Sequence, residues 1–213
     1  MILIGMFDSP FVRRVAISAS LLGIPFEHRN WSVGRDAARI REYSPLGRVP
    51  TLVLDDGEVL TESSALLDYL DQTVGPARAL LPPTGAERRK ALQAMALATG
   101  AAEKCVTQVY ERLFRPAEKV HQPWIDRCEA QVQGALGELE RLCGPRADGA
   151  WLLGARLTQA DITVVCCASF ISEVRELSFA AAFPALHRLM LQAEALPAFG
   201  QFRVPFFAPK PAA

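Results

Sequence analysis

The spacing of apolar residues changes character once along this chain, across the segment Pro76–Gly85. Before it, short apolar runs alternate with helical stretches. Met1–Phe7 is a compact apolar run suited to a buried strand, and Pro10–Leu22 has helical spacing closed by Gly23. Phe26–Trp31 reads as a strand, Arg35–Glu42 as a short helix and Thr51–Leu54 as another strand. Asp55-Asp56-Gly57 is a hairpin turn into Glu58–Leu60, and Ser63–Val74 is a helix that stops at Gly75-Pro76. The order βαβαββα suits a mixed sheet with helices packed on its faces.

Pro76–Gly85 holds three prolines and reads as a linker. Beyond it no strand pattern recurs. Glu87–Phe114 is a long helical stretch expected to bend near Gly100. In Pro123–Cys143, the residues Trp124, Cys128, Val132, Leu136, Leu139 and Leu142 recur in steps of three and four, forming one helical face. Thr158–Leu177 and Pro184–Leu196 complete a bundle, with a Pro-rich tail after Phe207. The expected fold is therefore α/β followed by all-α, with residues 1–76 forming the first domain and residues 86–208 the second. Thr158-Gln159-Ala160-Asp161 has the spacing of a capping box with aspartate in place of glutamate, and Leu157 and Ile162 are placed as a hydrophobic staple. That segment is a folding signal rather than chemistry.

Composition narrows the function without naming it. Half of the 213 residues are hydrophobic and 22% are charged, as in a globular protein with ample core. Lys+Arg and Asp+Glu balance at 23 each, so no basic surface points to nucleic acid. Apolar stretches are broken by charge well short of a membrane span. The first basic residue, Arg13, follows the apolar start instead of preceding it, so no signal peptide is read and a cytoplasmic location is expected. The five cysteines (Cys105, Cys128, Cys143, Cys166 and Cys167) form no C-x-x-C pair and sit within apolar or helical patterns, as inert buried thiols do. His28, His121 and His187 lack ligand spacing, and no metal site is expected.

Three pieces at strand or helix ends carry the chemistry. Ser9-Pro10 is a helix start: the serine suits the N-cap, and proline at the next position has no N–H to waste. The same junction aims a hydroxyl and a helix N-terminus at one volume, which favours an anion such as a thiolate. Val49-Pro50 precedes a strand. If that bond is cis, the Val49 N–H and C=O face outward and can pair with an extended peptide; a trans proline in a loop fits the same residues. Glu62-Ser63 opens the next helix, with Ser63 placed as its cap. Together they offer a negative charge to an ammonium and a helix N-terminus to a carboxylate, the two charges of an amino-acid head group. Combined, the three pieces suit a small anionic peptide carrying a thiol.

Over nearly its full length the chain resembles a cytosolic glutathione transferase. Ser9-Pro10-Phe11-Val12-Arg13 is similar to the serine-type enzymes of the tau class and related bacterial proteins; the omega class carries cysteine at the position of Ser9. Pro45–Pro50 resembles the family's segment before its cis-proline. Leu60–Leu70 resembles its γ-glutamyl site, and Gly154–Asp161 its folding motif.

The resemblance implies a thioredoxin-like N-terminal domain that binds glutathione, a helical domain that supplies the electrophile pocket, and a homodimer. It makes Ser9 the donor to the glutathione sulfur and Val49, beside Pro50, the backbone partner of the cysteinyl residue. Glu62 and Ser63 hold the γ-glutamyl group, and Arg48 either meets the glycyl carboxylate or stays solvated. Phe11, Cys105, Gln108, Val109 and Arg112 are its candidates for the pocket of a small hydrophobic electrophile. Two positions depart from the pattern. Asp8 precedes the serine and would oppose a thiolate, so it is expected to point away at the strand end. The second-helix lysine of the plant enzymes has no match, the nearby basic residues being Arg35, Arg39 and Arg41. The alternatives are a glutathione-binding protein without turnover, or a glutathione-dependent isomerase, lyase or dehalogenase.

Overall fold

The computed structural model describes residues 1–207. The expected Pro-rich tail and the last residue of the expected second domain lie outside them. Strands β1 (Ile2–Ile4), β2 (Glu27–Arg29), β3 (Thr51–Val53) and β4 (Val59–Thr61) form one sheet in the order β2-β1-β3-β4. β1 runs parallel to β2 and antiparallel to β3, with Leu3 opposite both His28 and Leu52, and β3 pairs antiparallel with β4. β1, β2 and β3 are shorter than the runs that announced them, and β4 is shifted by one residue from the expected Glu58–Leu60. Beyond Ile4 the chain leaves the ladder at Gly5 to reach the first helix.

Gly5 has a structural reason to be glycine. Its φ is +133°, and a Cβ there would lie 2.5 Å from Val12 Cγ2 and 2.9 Å from Val49 Cβ. Only a residue without a side chain lets the first helix and the loop before β3 close on the end of β1. Two of the candidate pieces named above, the start of α1 and the turn at Val49, meet at this point.

The first helix, α1 (Pro10–Leu22), matches the sequence expectation, with Pro10 at its first turn and Gly23 closing it at φ 70°. α2 (Ala37–Arg41) is a short turn of helix, and α3 (Ser63–Val74) stops at Gly75. The expected linker is tied down on both sides: the Asp71 carboxylate accepts from the N–H groups of Leu80 and Leu81, and the Gln159 N–H donates to the Leu80 carbonyl.

The helical half comprises α4 (Gly85–Leu113), α5 (Gln122–Cys143), α6 (Gln159–Val174), α7 (Phe179–Ala182), α8 (Pro184–Glu194) and α9 (Pro197–Gly200). α4 runs unbroken through Gly100. α6 is buried on nearly every side from Gln159 to Ile171, as its continuous apolar run requires. It packs against α4 and also against α1, so one hydrophobic core spans the sheet and the bundle. Asp161 starts α6 as expected: its Oδ2 accepts from the N–H and the Oγ1 of Thr158, both at 2.8 Å. Its Oδ1 also accepts from the Leu152 N–H at 2.8 Å, a third bond that the local motif does not reveal. No helix among the described residues is long and apolar enough to cross a membrane.

Candidate active site

A crevice of about 660 Å³ opens between the end of β1, the N-terminus of α1, the loop before β3, and α4. Ser9 lines it. Ser9 occupies the N-cap position in extended conformation (φ −71°, ψ 123°), yet its side chain makes no capping hydrogen bond. Its hydroxyl is therefore not spent on the helix it begins. The opening amides of α1 still place the positive end of a helix dipole beside it.

Phe11, Arg48 and Val49 line the same crevice. The Val49-Pro50 bond is cis, and among the described residues the Val49 N–H and C=O have no hydrogen-bond partner. Pro50 itself is buried directly behind this wall. Thr51 Oγ1 donates to the Arg48 carbonyl at 3.2 Å and braces the turn into β3.

Glu62 and Ser63 are not among the residues lining the crevice; Glu62 reaches it only through Arg48, which does line it. The Arg48 guanidinium lies 3.8 Å from Glu62 Oε1 and 3.7 Å from Glu103 Oε1, all three side chains being about half exposed. Glu62, and not Ser63, takes the N-cap position of α3, with φ 72° and ψ 119°. A glutamate in that region costs about 1–3 kcal/mol, and such outliers gather at binding sites. Ser63 begins the helix and is buried. Its Oγ accepts from Arg14 Nη2 at 2.6 Å, while Arg14 Nη1 donates to Thr163 Oγ1 at 3.2 Å. Arg14 has no carboxylate in contact among the described residues, and burial lowers its pKa. Its guanidinium charge is in contact with the Ser63 hydroxyl oxygen.

The α4 side of the crevice differs from expectation. Val109 lines it, but Cys105, Gln108 and Arg112 do not. Cys105 and Gln108 are buried on the opposite face, where Gln108 Nε2 lies 3.4 Å from Glu129 of α5, and Arg112 is exposed. The crevice face is instead Glu103, Val106, Thr107, Tyr110 and Phe114. Periodicity marks α4 as amphipathic, but it does not say which stripe packs on α5 and α6.

Asp8 also differs. It lines the crevice instead of turning away, and its Oδ2 accepts the Phe207 N–H at 3.2 Å. Burial pushes its carboxyl up from the ordinary aspartate value, against the pull of that amide and of the Asp8 and Ser9 amides. Arg35, Arg39 and Arg41 stay outside the crevice; Arg35 and Arg39 face Asp36 at 3.4 and 3.9 Å.

The chain matches the family model for the glutathione S-transferase N-terminal domain over residues 3–78, and that for the C-terminal domain over residues 122–196. It is 31% identical to a glutathione S-transferase of Methylobacterium radiotolerans solved in complex with glutathione sulfonate. That comparison covers 97% of this chain and 95% of the other, with a TM-score of 0.89. This chain belongs to the glutathione S-transferase superfamily. Two further relatives span most of its length. The uncharacterized GST-like protein YibF of Escherichia coli K12 is 29% identical over 80% of this chain and 81% of its own. A probable maleylacetoacetate isomerase of Vibrio cholerae is 28% identical over 94% of each.

For a glutathione S-transferase, the part of the crevice least visible in the sequence is its aromatic wall. Phe170 comes from α6, and Phe206 and Phe207 from the segment after α9. Phe206 stacks edge-on against Phe170 at 5.4 Å, and its N–H donates to Glu173 Oε2 at 3.0 Å. Tyr110 stacks edge-on against Phe114 at 5.1 Å, and burial raises the pKa of its phenol, which keeps it protonated. No signal in the sequence joins residues near 110, 170 and 206. Only the packing of α4, α6 and the final segment does so. The cysteines are buried, as expected, and burial pushes the thiols of Cys105 up to about 11 and of Cys143, Cys166 and Cys167 up to about 12. None of the five lines the crevice. No cluster of metal-ligating side chains occurs among the described residues.

Proposed function

We propose that this protein is a glutathione transferase in which Ser9 activates the glutathione thiol for attack on a small hydrophobic electrophile. The observation that carries the proposal is at Ser9: the residue lines the crevice at the start of α1, and its side chain makes no capping hydrogen bond. A thiol of this kind has a pKa near ~8.5 and is mostly protonated at neutral pH. A hydroxyl donor and a helix N-terminus both favour the thiolate, and a shift of two units corresponds to about 2.7 kcal/mol. The thiolate then attacks the electrophilic carbon, which the aromatic wall holds close and dry.

In this reading Val49 pairs by backbone with the cysteinyl residue. Glu62 takes the γ-glutamyl ammonium, and Ser63, polarised by Arg14, the carboxylate. Arg48 takes the glycyl carboxylate. Its present ion pairs are half exposed and worth under about 1 kcal/mol each, so exchanging them for the ligand is cheap. Phe11, Val109 and the aromatic wall hold the electrophile. The protein acts in the cytoplasm as a twofold dimer with an isologous interface. Glutathione-dependent isomerisation is a second reading, favoured by the similarity to the Vibrio cholerae relative named as an isomerase.

Glutathione calorimetry with the Glu62→Ala variant tests the assignment, alongside initial rates with an activated aryl halide. Loss of a charged partner costs about 1.5–3 kcal/mol, so affinity should fall by at least tenfold while melting is unchanged. Equal affinity in the two proteins would remove Glu62 from the site.

A further inference from the structure

The charged groups on the crevice wall are few. Among the described residues they are Asp8, Arg48 and Glu103. Arg48 already stands between Glu62 and Glu103, and in the glutathione reading it is given to the glycyl carboxylate. No described cation is left for the second substrate. Asp8 is adjacent to Ser9, where the sulfur and the electrophilic carbon have to meet. We propose that Asp8 determines specificity at the second-substrate site, admitting neutral and ammonium-bearing aromatic electrophiles and rejecting carboxylate-bearing ones. This inference rests on the glutathione reading of the same crevice.

Two features support it besides position. The Asp8 carboxylate accepts the Phe207 N–H and lies just before α1; these contacts favour its charged form, while burial works against them and raises its pKa. The rest of the lining is rich in aromatic rings: Phe11, Tyr110, Phe114, Phe170, Phe206 and Phe207. Ring faces attract a cation and offer nothing to a carboxylate. A carboxylate beside aromatic faces is therefore a receptor for ammonium groups and a barrier to anions. Two like charges about 6 Å apart at an effective dielectric of about 20 correspond to roughly a hundredfold in affinity, and water in the open crevice reduces this towards tenfold.

Asp8 also tethers Phe207, so its charge has to be removed without its acceptor. Asp8→Asn does this, because the amide oxygen can still take the Phe207 N–H. The probes are three S-benzylglutathiones bearing a para methyl, aminomethyl or carboxyl group, titrated calorimetrically into both proteins at low salt. In the unaltered protein the carboxyl conjugate should bind about tenfold or more weakly than the methyl conjugate, and the aminomethyl conjugate more tightly. In Asp8→Asn the three affinities should fall within about threefold of one another. Equal binding of methyl and carboxyl conjugates in the unaltered protein, or an unchanged spread in Asp8→Asn, would overturn the inference while glutathione binding stands. If glutathione itself does not bind, the inference and the reading beneath it fall together.

Discussion

Arg13 lays its guanidinium across Glu194 in two hydrogen bonds of 2.9 and 2.7 Å, and Nη2 also donates to the Phe199 carbonyl at 3.0 Å. Both side chains are nearly buried, so α1 is pinned to α8 by a charge pair in a poor solvent for charge. Its neighbour Arg14 points elsewhere and serves Ser63 and Thr163 with no carboxylate in contact. Removing one member of a buried pair strands the other. Glu194→Ala is therefore expected to destabilise the protein by about 3–5 kcal/mol, measured by denaturant unfolding. A loss below about 1 kcal/mol would mean that Arg13 finds other partners when Glu194 is gone. Neither arginine's role was legible in the sequence, where both read only as part of a motif after Ser9. The partners lie more than 45 residues away, and charge pairing at that range leaves no periodic trace.

The helix ends were legible wherever a local signal marked them. α1 is set by Ser9-Pro10 and Gly23, α3 by Gly75, and α6 by the box at Thr158. Strand lengths were overestimated because apolar runs continue beyond the ladder: Phe7 belongs to no strand and stacks on His28 at 3.9 Å. The short α7 and α9 had no signal of their own, being single turns fixed by packing. At α3 the cap was misplaced by one residue, since nothing local predicts a glutamate at φ 72°. For α6 the structure raises the stakes of the capping box. Asp161 accepts from Leu152 as well as from Thr158, joining the preceding loop to the helix start. Asp161→Ala should cost about 2 kcal/mol or more, above the lower part of the ~0.5–2 kcal/mol range for a simple cap. Thermal melting checks this, and glutathione affinity should be unmoved. A normal melting curve with lost glutathione binding would make Asp161 a functional residue instead.

At the scale of the whole molecule, the two halves share one core, and both line the crevice. The sheet half brings Ser9, Arg48 and Val49 to the crevice, with Glu62 beside Arg48, and the helical half closes it with α4, α6 and the segment ending at Phe207. Of the residues that motif and order pointed to, Ser9, Phe11, Arg48 and Val49 line the crevice, and Pro50, Glu62 and Ser63 do not. The second half depends on which face of α4 turns towards the crevice, and that follows from three-dimensional packing alone. The central claim is that Ser9 is an activator of a bound thiol and not a helix cap. Ultraviolet titration of the thiolate of bound glutathione in the unaltered protein and in Ser9→Ala tests it most directly. With Ser9 present, the bound thiol should titrate well below ~8.5, and Ser9→Ala should raise its pKa by at least about one unit with glutathione affinity nearly unchanged. An identical thiol pKa in the two proteins would contradict the account.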